Sequence, residues 1–199
     1  KTPLYRLWQV VLWGKSKKNM KKVIAFTGHK GNGKTTAADY IKQKYMTESE
    51  TPVKVERINF KDCLVDEIKE NFPGTLEFLS AVYDMDTDTL FKEKPGGMRK
   101  LMQDVGLSRR KENPMYWVDR WEKKVKESNS DVIITDDVRF MNEYDAVGRH
   151  GGQVYKIVRE GQINDDFHAT ETEIGMIPCQ EIRAKDKEDL FNQLDQIIL

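Results

Sequence analysis

The chain has 199 residues, with 33 Lys and Arg against 33 Asp and Glu, so its formal net charge is zero. That balance argues against a protein that grips nucleic acid through its overall charge. With 38% hydrophobic and 33% charged residues, the composition is that of an ordinary soluble domain long enough to bury a core without disulfides or metals. Cys63 and Cys179 lie far apart and outside any CxxC, which disfavours a disulfide framework or a zinc site and suits reduced thiols in a cytoplasmic protein. No apolar run approaches the length of a membrane span.

Residues 1–19 carry an apolar stretch broken by Arg6 and Gln9 and lack a small-residue cleavage site, so a secretory signal fits poorly. Met20 directly precedes KKVIAFTG. We therefore expect one domain over 20–199, with 1–19 as an appended or peripheral leader and the basic run Lys15 to Lys22 as a solvated linker.

Val23 to Phe26 reads as a buried parallel strand. Three glycines follow within six residues, and then a helix with Ala37, Ile41 and Tyr45 on one face. Val53 to Phe60 is a second strand candidate, and Asp62 an N-cap for a helix striped by Leu64, Val65, Ile68 and Phe72. Pro73-Gly74 ends that helix. From Thr75 to Asn129 the pattern is mostly helical, broken at EKPGGMRK, with Val118, Trp121 and Val125 marking a buried face. DVIIT, Asp131 to Thr135, is a third strand, Val154 to Val158 a fourth, and Glu181 to Ala184 a fifth. A closing helix has the stripe Leu190, Leu194, Ile197 and Ile198. Strands alternating with helices predict an α/β fold, a parallel sheet with helices on both faces.

The glycine stretch fits G-x-x-x-x-G-K-[ST] as Gly28, Gly33, Lys34 and Thr35, placed between a strand and a helix as the motif requires. Backbone amides of such a loop line an anion site, and the following helix adds its positive end. Gly28, His29, Lys30, Gly31, Asn32 and Gly33, with Lys34, Thr35 and Thr36, are thus the expected triphosphate-binding residues. Lys34 would reach phosphate oxygens, and Thr35 would offer its hydroxyl to Mg²⁺. Asp136 and Asp137 follow the third strand, and a carboxylate there beside the loop suits Mg²⁺. Two aspartates at a strand end could equally face solvent. Arg139 lies where open α/β sheets bind ligands, and its fork suits phosphate. An Arg139–Glu143 ion pair at helical spacing would be structural.

VIAFTGHKGNGKTTAADYI, FKDCLVDEI, DVRFMNEYDAV and HATE occur in this order, supported by RKLMQDVG and YWVDRW. Together they resemble the bacteriophage-type deoxynucleoside monophosphate kinases, within the adenylate-kinase-like P-loop kinases. The resemblance covers roughly Met20 to Leu199. His168-Ala169-Thr170-Glu171 departs from the family's H-x-S-E by a methyl, and Thr35 stands where some members carry Asp. The resemblance implies a three-layer kinase fold with a mostly five-stranded parallel sheet, an acceptor-binding helical region near 60–128 and a lid near 159–175. It implies transfer of the γ-phosphoryl of ATP, with Mg²⁺, to a deoxynucleoside 5′-monophosphate in the cytoplasm (the host's, for a phage-encoded chain). Lys34, Asp137, Arg139 and Arg159 are the expected catalytic residues, with Asp137 preferred over Asp136 for the metal. Phe60, Lys61, Asp62, Arg99, Gln103, Trp117, Arg139, Glu143, His168 and Glu171 are the expected acceptor contacts. Trp121 falls on the apolar stripe and is expected in the core, and Arg109-Arg110-Lys111 in a solvated loop. Arg159 reads equally as a surface residue, and His168 as a structural histidine. Family members can be dimers. The competing readings are a dephospho-coenzyme A kinase and a nucleotide-binding module that touches nucleic acid through the basic leader.

Overall fold

The computed structural model describes residues 21–49, 51–161 and 173–197. In chain order they form β1 (Lys22–Thr27), α1 (Lys34–Glu48), β2 (Val55–Arg57), α2 (Phe60–Asn71), α3 (Pro73–Tyr83), α4 (Thr87–Glu93) and α5 (Gly96–Glu112). These are followed by α6 (Tyr116–Glu127), β3 (Val132–Val138), α7 (Met141–Arg149), β4 (Gln153–Arg159), β5 (Gln180–Ala184) and α8 (Lys187–Ile197). The five strands make one all-parallel sheet in the order β2-β3-β1-β4-β5.

A parallel sheet must be covered on both faces, which is why its central strands read as unbroken apolar runs. On β1, Ile24 and Phe26 pack with Ala37, Ala38 and Ile41 of α1 and Leu190 and Leu194 of α8. Val23 and Ala25 face the other way, into a core built with Phe60, Cys63 and Ile68 of α2, Val118, Trp121 and Val125 of α6, and Ala146 and Val147 of α7. The result is three layers, the P-loop kinase fold. β1 is central and connects to β2 on one side of it, while β4 lies on the other. The carboxyl ends of β1 and β3 therefore flank the crevice where open α/β sheets take ligands. Among the described residues, no helix is long and apolar enough to cross a membrane.

Three boundaries differ from the sequence expectation. The second strand is only three residues long, because Asn59 leaves it and α2 starts at Phe60. Asp62 caps α2 from its third position, accepting the Asn59 amide at 2.9 Å, instead of standing at the N-cap. β3 runs through both aspartates to Val138 instead of stopping at Thr135. The stripe of α2 differs too: Phe60, Cys63 and Ile68 are buried with Glu67, while Leu64 and Phe72 are half-buried. Of the last helix's stripe, Ile198 lies outside the described residues. So do residues 1–20 and most of the expected lid.

Glu67 is 1% exposed and joins three helices. Its Oε1 accepts Arg109 Nε and Nη2 at 3.0 and 2.8 Å, and its Oε2 accepts Tyr116 Oη at 2.6 Å and Arg120 Nη1 at 2.7 Å. Burial alone would raise this carboxyl. The hydrogen bonds from Tyr116 and Arg109 and the charges of Arg109 and Arg120 outweigh it, and hold the group below the usual carboxylate range.

Candidate active site

The loop between β1 and α1 is drawn tightly against β4. Gly28 sits at φ 136°, and a Cβ there would lie 2.4 Å from the Ile157 carbonyl oxygen, so only glycine lets the loop pass. Asn32 Nδ2 donates to that same carbonyl at 3.0 Å. Gly31 and Gly33 also hold positive φ, at 84° and 95°. Lys34, the first residue of α1, turns back over the loop and donates to the carbonyls of Gly28 and His29 at 2.6 and 2.8 Å. Its ammonium thereby stands at the loop, while Thr35 is exposed on the first turn of α1 and Thr36 half-buried beside it. His29 is half-buried and Lys30 exposed at the bend.

The two aspartates of β3 meet different partners, as successive residues of a strand point to opposite faces, and the strand carries an irregularity beside them. Ala25 and Thr27 of β1 pair with Thr135 and Val138, so β3 places three residues where β1 places two. Bulges of this kind re-aim side chains beside functional sites. Asp137 turns to the start of α2, where its two oxygens accept the amides of Phe60 and Lys61 at 3.0 and 2.8 Å. Burial, with Asp136 adding, pushes Asp137 up to about 6 despite those amides. Asp136 faces the α1 side. Its Oδ1 accepts Asn59 Nδ2 at 2.6 Å, its amide donates to Asn59 Oδ1 at 2.9 Å, and Arg57 Nη1 stands 4.0 Å from Oδ2. Arg57 is itself paired with Asp39 of α1. Asp136 Oδ2 is buried with no hydrogen-bond partner among the described residues, an arrangement that buried carboxylates rarely keep without a ligand.

Glu143 is 2% exposed and organises the turn after β3. Its Oε2 accepts the amides of Arg139 and Phe140 at 2.8 and 3.3 Å, and its Oε1 accepts Arg110 Nη2 at 3.1 Å. The Glu143 carboxylate thus holds Arg139 by its backbone, and its ion-pair partner is Arg110, not the Arg139 side chain. Burial pushes Glu143 up to about 7, with Arg110 opposing and Asp137 adding. Arg110 also stacks over Phe140, its guanidinium carbon 3.7 Å from the ring centre.

Residues 65–188, more than half of the chain, match the family model described as deoxynucleotide monophosphate kinase. The chain belongs to that family. It is also 28% identical over 194 residues to an Acanthamoeba polyphaga mimivirus protein named "Putative deoxynucleotide monophosphate kinase", an alignment covering 86% of this chain and 93% of the relative.

In this kinase, several residues expected at the acceptor lie in the core. Trp117 is 3% exposed, and its indole N–H goes to the Gly106 carbonyl at 3.1 Å, so no base can stack on it. Phe60 is buried and stacks on Trp121 at 4.8 Å. Trp121 is core as expected, donating to the Ile58 carbonyl at 2.9 Å. Arg109 and Arg110 are not in a solvated loop: they sit in the last turn of α5 and reach the buried Glu67 and Glu143. Glu143 itself is too enclosed to meet a nucleotide. Lys61, Arg99 and Gln103 are exposed, as is Arg159 at the end of β4. His168 and Glu171 lie outside the described residues.

Sequence reading missed Asn59, which grips Asp136, and Lys94, the left-handed residue that ends α4 at φ 52°. Lys94 is half-buried, and its strongest charged neighbours are the cations Lys61, Arg99, Arg139 and Lys30, contributed by separate segments. Asn59 could have been suspected as an N-cap residue type. Nothing local to Lys94 distinguishes it from a surface lysine.

Proposed function

We propose that this kinase transfers the γ-phosphoryl group of ATP to a deoxynucleoside 5′-monophosphate, giving ADP and a deoxynucleoside diphosphate. The observation that carries this reading is the glycine loop at the end of β1, cradled against Ile157 and overlaid by the Lys34 ammonium, in a chain of this family. In the transfer, the bond from the γ-phosphorus to the β–γ bridging oxygen breaks and one to an oxygen of the acceptor's phosphate forms. That acceptor oxygen is largely ionised at neutral pH, its second pKa being about 6, so the chemistry needs no general base. It needs alignment and charge neutralisation.

Lys34 would leave the loop carbonyls for the phosphate oxygens as the triphosphate enters. Gly28 to Gly33 would supply backbone donors, and Thr36 would border the α-phosphate. Arg139, its backbone held by Glu143, and Arg159 would offer guanidinium groups to the moving phosphoryl. Lys61, Arg99 and Gln103 would face the acceptor. Thr35 and Asp136 are the residues suited to hold Mg²⁺, since Asp136 Oδ2 is buried and accepts no hydrogen bond among the described residues, whereas both oxygens of Asp137 are taken by amides. A bound Mg²⁺ would supply charge neutralisation on the phosphate oxygens. Asp137 instead fixes the start of α2.

The test is ADP release from ATP and Mg²⁺ with each deoxynucleoside and ribonucleoside monophosphate, and with dephospho-coenzyme A. ADP formation that depends on a deoxynucleoside monophosphate is expected. Equal background with every acceptor refutes the reading. Lys34→Ala should lower turnover by at least about a hundredfold with the fold intact.

A further inference from the structure

The turn between β3 and α7, which carries Arg139, is gripped by the end of α5 and the short link to α6. Asn142, on the first turn of α7, donates from Nδ2 to the carbonyl of Pro114 in that link at 2.7 Å. Arg110, in the last turn of α5, donates to Glu143 Oε1 at 3.1 Å and lies over the Phe140 ring, 3.7 Å from its centre. The other oxygen, Glu143 Oε2, accepts the amides of Arg139 and Phe140. Arg110 and the Arg139 backbone therefore hold opposite oxygens of one buried carboxylate. The last torsion of a glutamate is soft, so a carboxylate bonded on one side alone can turn, and the amides on it shift with it. Compensating the Glu143 charge would need only a nearby cation. Here the same guanidinium also packs on Phe140, whose amide Glu143 accepts beside that of Arg139. The contacts close around the Arg139–Phe140 peptide, the kind of outer support that locks a working side chain in place.

We infer that Arg110 is a positioning residue for phosphoryl transfer: through Glu143 and Phe140 it fixes the backbone from which Arg139 reaches the moving phosphoryl. The inference rests on the kinase reading above. α5 carries Arg99, assigned there to the acceptor, in its first turn and Arg110 in its last. One helix thus keeps the acceptor side and the Arg139 turn in register.

Kinetics of Arg110→Met, Arg139→Met and the double variant, with MgATP and each of the four deoxynucleoside 5′-monophosphates, test this, slow variants being read in single turnovers with enzyme in excess. Arg110→Met should lower kcat about ten- to a hundredfold, the loss typical of a slightly misplaced group, with both KM values within about threefold of wild type. Added to Arg139→Met, it should lower kcat by less than about threefold more, because a residue that acts through another adds little once that other is gone. Arg110→Lys should recover part of the loss. Arg109→Met takes a cation from the other buried carboxylate beside α5, Glu67. It is the control for a loosened helix and should leave kcat within about threefold of wild type. Losses that multiply in full in the double variant overturn the inference, as does an unchanged kcat in Arg110→Met or an equal kcat loss in Arg109→Met. Should Arg110→Met fail to fold, Arg110→Lys, which keeps the charge without the flat fork, takes its place in the same comparison. Amide hydrogen exchange keeps the two readings distinct. Were the wild type to turn over no acceptor, the kinase reading would fall. Arg110 would still be judged by the Arg139 and Phe140 amides, which should exchange at least about tenfold faster in Arg110→Met than in Arg109→Met. Equal exchange in both variants overturns it.

Discussion

Replacing Gly28 by alanine probes how firmly the glycine loop is drawn against the sheet. At φ 136°, the new methyl would lie 2.4 Å from the Ile157 carbonyl oxygen. An ordinary carbon–oxygen approach is about 3.3 Å, so the loop or β4 must shift by about 1 Å. Forcing a side chain into this backbone region costs about 1–3 kcal/mol, and displacing packed atoms adds about 1–3 kcal/mol. Gly33→Ala is the internal control. It also has positive φ, 95°, but its nearest new neighbour is Leu190 Cδ2 at 3.7 Å, an ordinary contact. It should therefore lose only the backbone contribution. Urea denaturation should rank Gly28→Ala below Gly33→Ala by about 1–3 kcal/mol, with calorimetry reporting weakened MgATP binding in the former. If Gly28→Ala is as stable as Gly33→Ala, the Ile157 carbonyl does not pin the loop and the reasoning is refuted.

Asp136→Asn should lower Mg²⁺-dependent turnover by about a hundredfold or more, whereas Asp137→Asn should mainly lower stability. The opposite ranking in turnover assays would return the metal to Asp137. Glu143 titrates near 7 in the fold, above its unfolded value, so the folded state holds the extra proton and stability falls as pH rises from about 4.5 to about 7. Glu143→Gln should flatten that fall by on the order of 3 kcal/mol, and identical urea-denaturation slopes against pH in mutant and wild type would contradict it. Glu67→Ala leaves Arg109 and Arg120 without their shared carboxylate and should destabilise by about 3–5 kcal/mol. A change below about 1 kcal/mol in thermal or urea unfolding would show that the network contributes little.

What the sequence disclosed follows from how local each signal is. The apolar runs of β1, β3 and β4 and the glycine spacing need no partner to be recognised, and each appears where expected. β2 also lies within its expected span but is shorter, because Asn59 joins the start of α2 and grips Asp136, 77 residues away. Arg109 and Arg110 look like a solvated triplet until folding brings up Glu67 and Glu143, 42 and 33 residues distant. Trp117 precedes the striped Val118 and Trp121, so periodicity alone could not assign it to the core, and its partner is the Gly106 carbonyl. The choice between Asp136 and Asp137 depends on the groups folding brings to each, Asn59 and Arg57 to the one and the first amides of α2 to the other.

The four donors on Glu67 come from two helices and the carboxylate from a third, so α2, α5 and α6 share one rivet. Sliding any one of them alone would strand a charge in a dry interior. Any motion of this part of the protein would therefore carry these helices as a single block, with the bending confined to the chain segments at its edges.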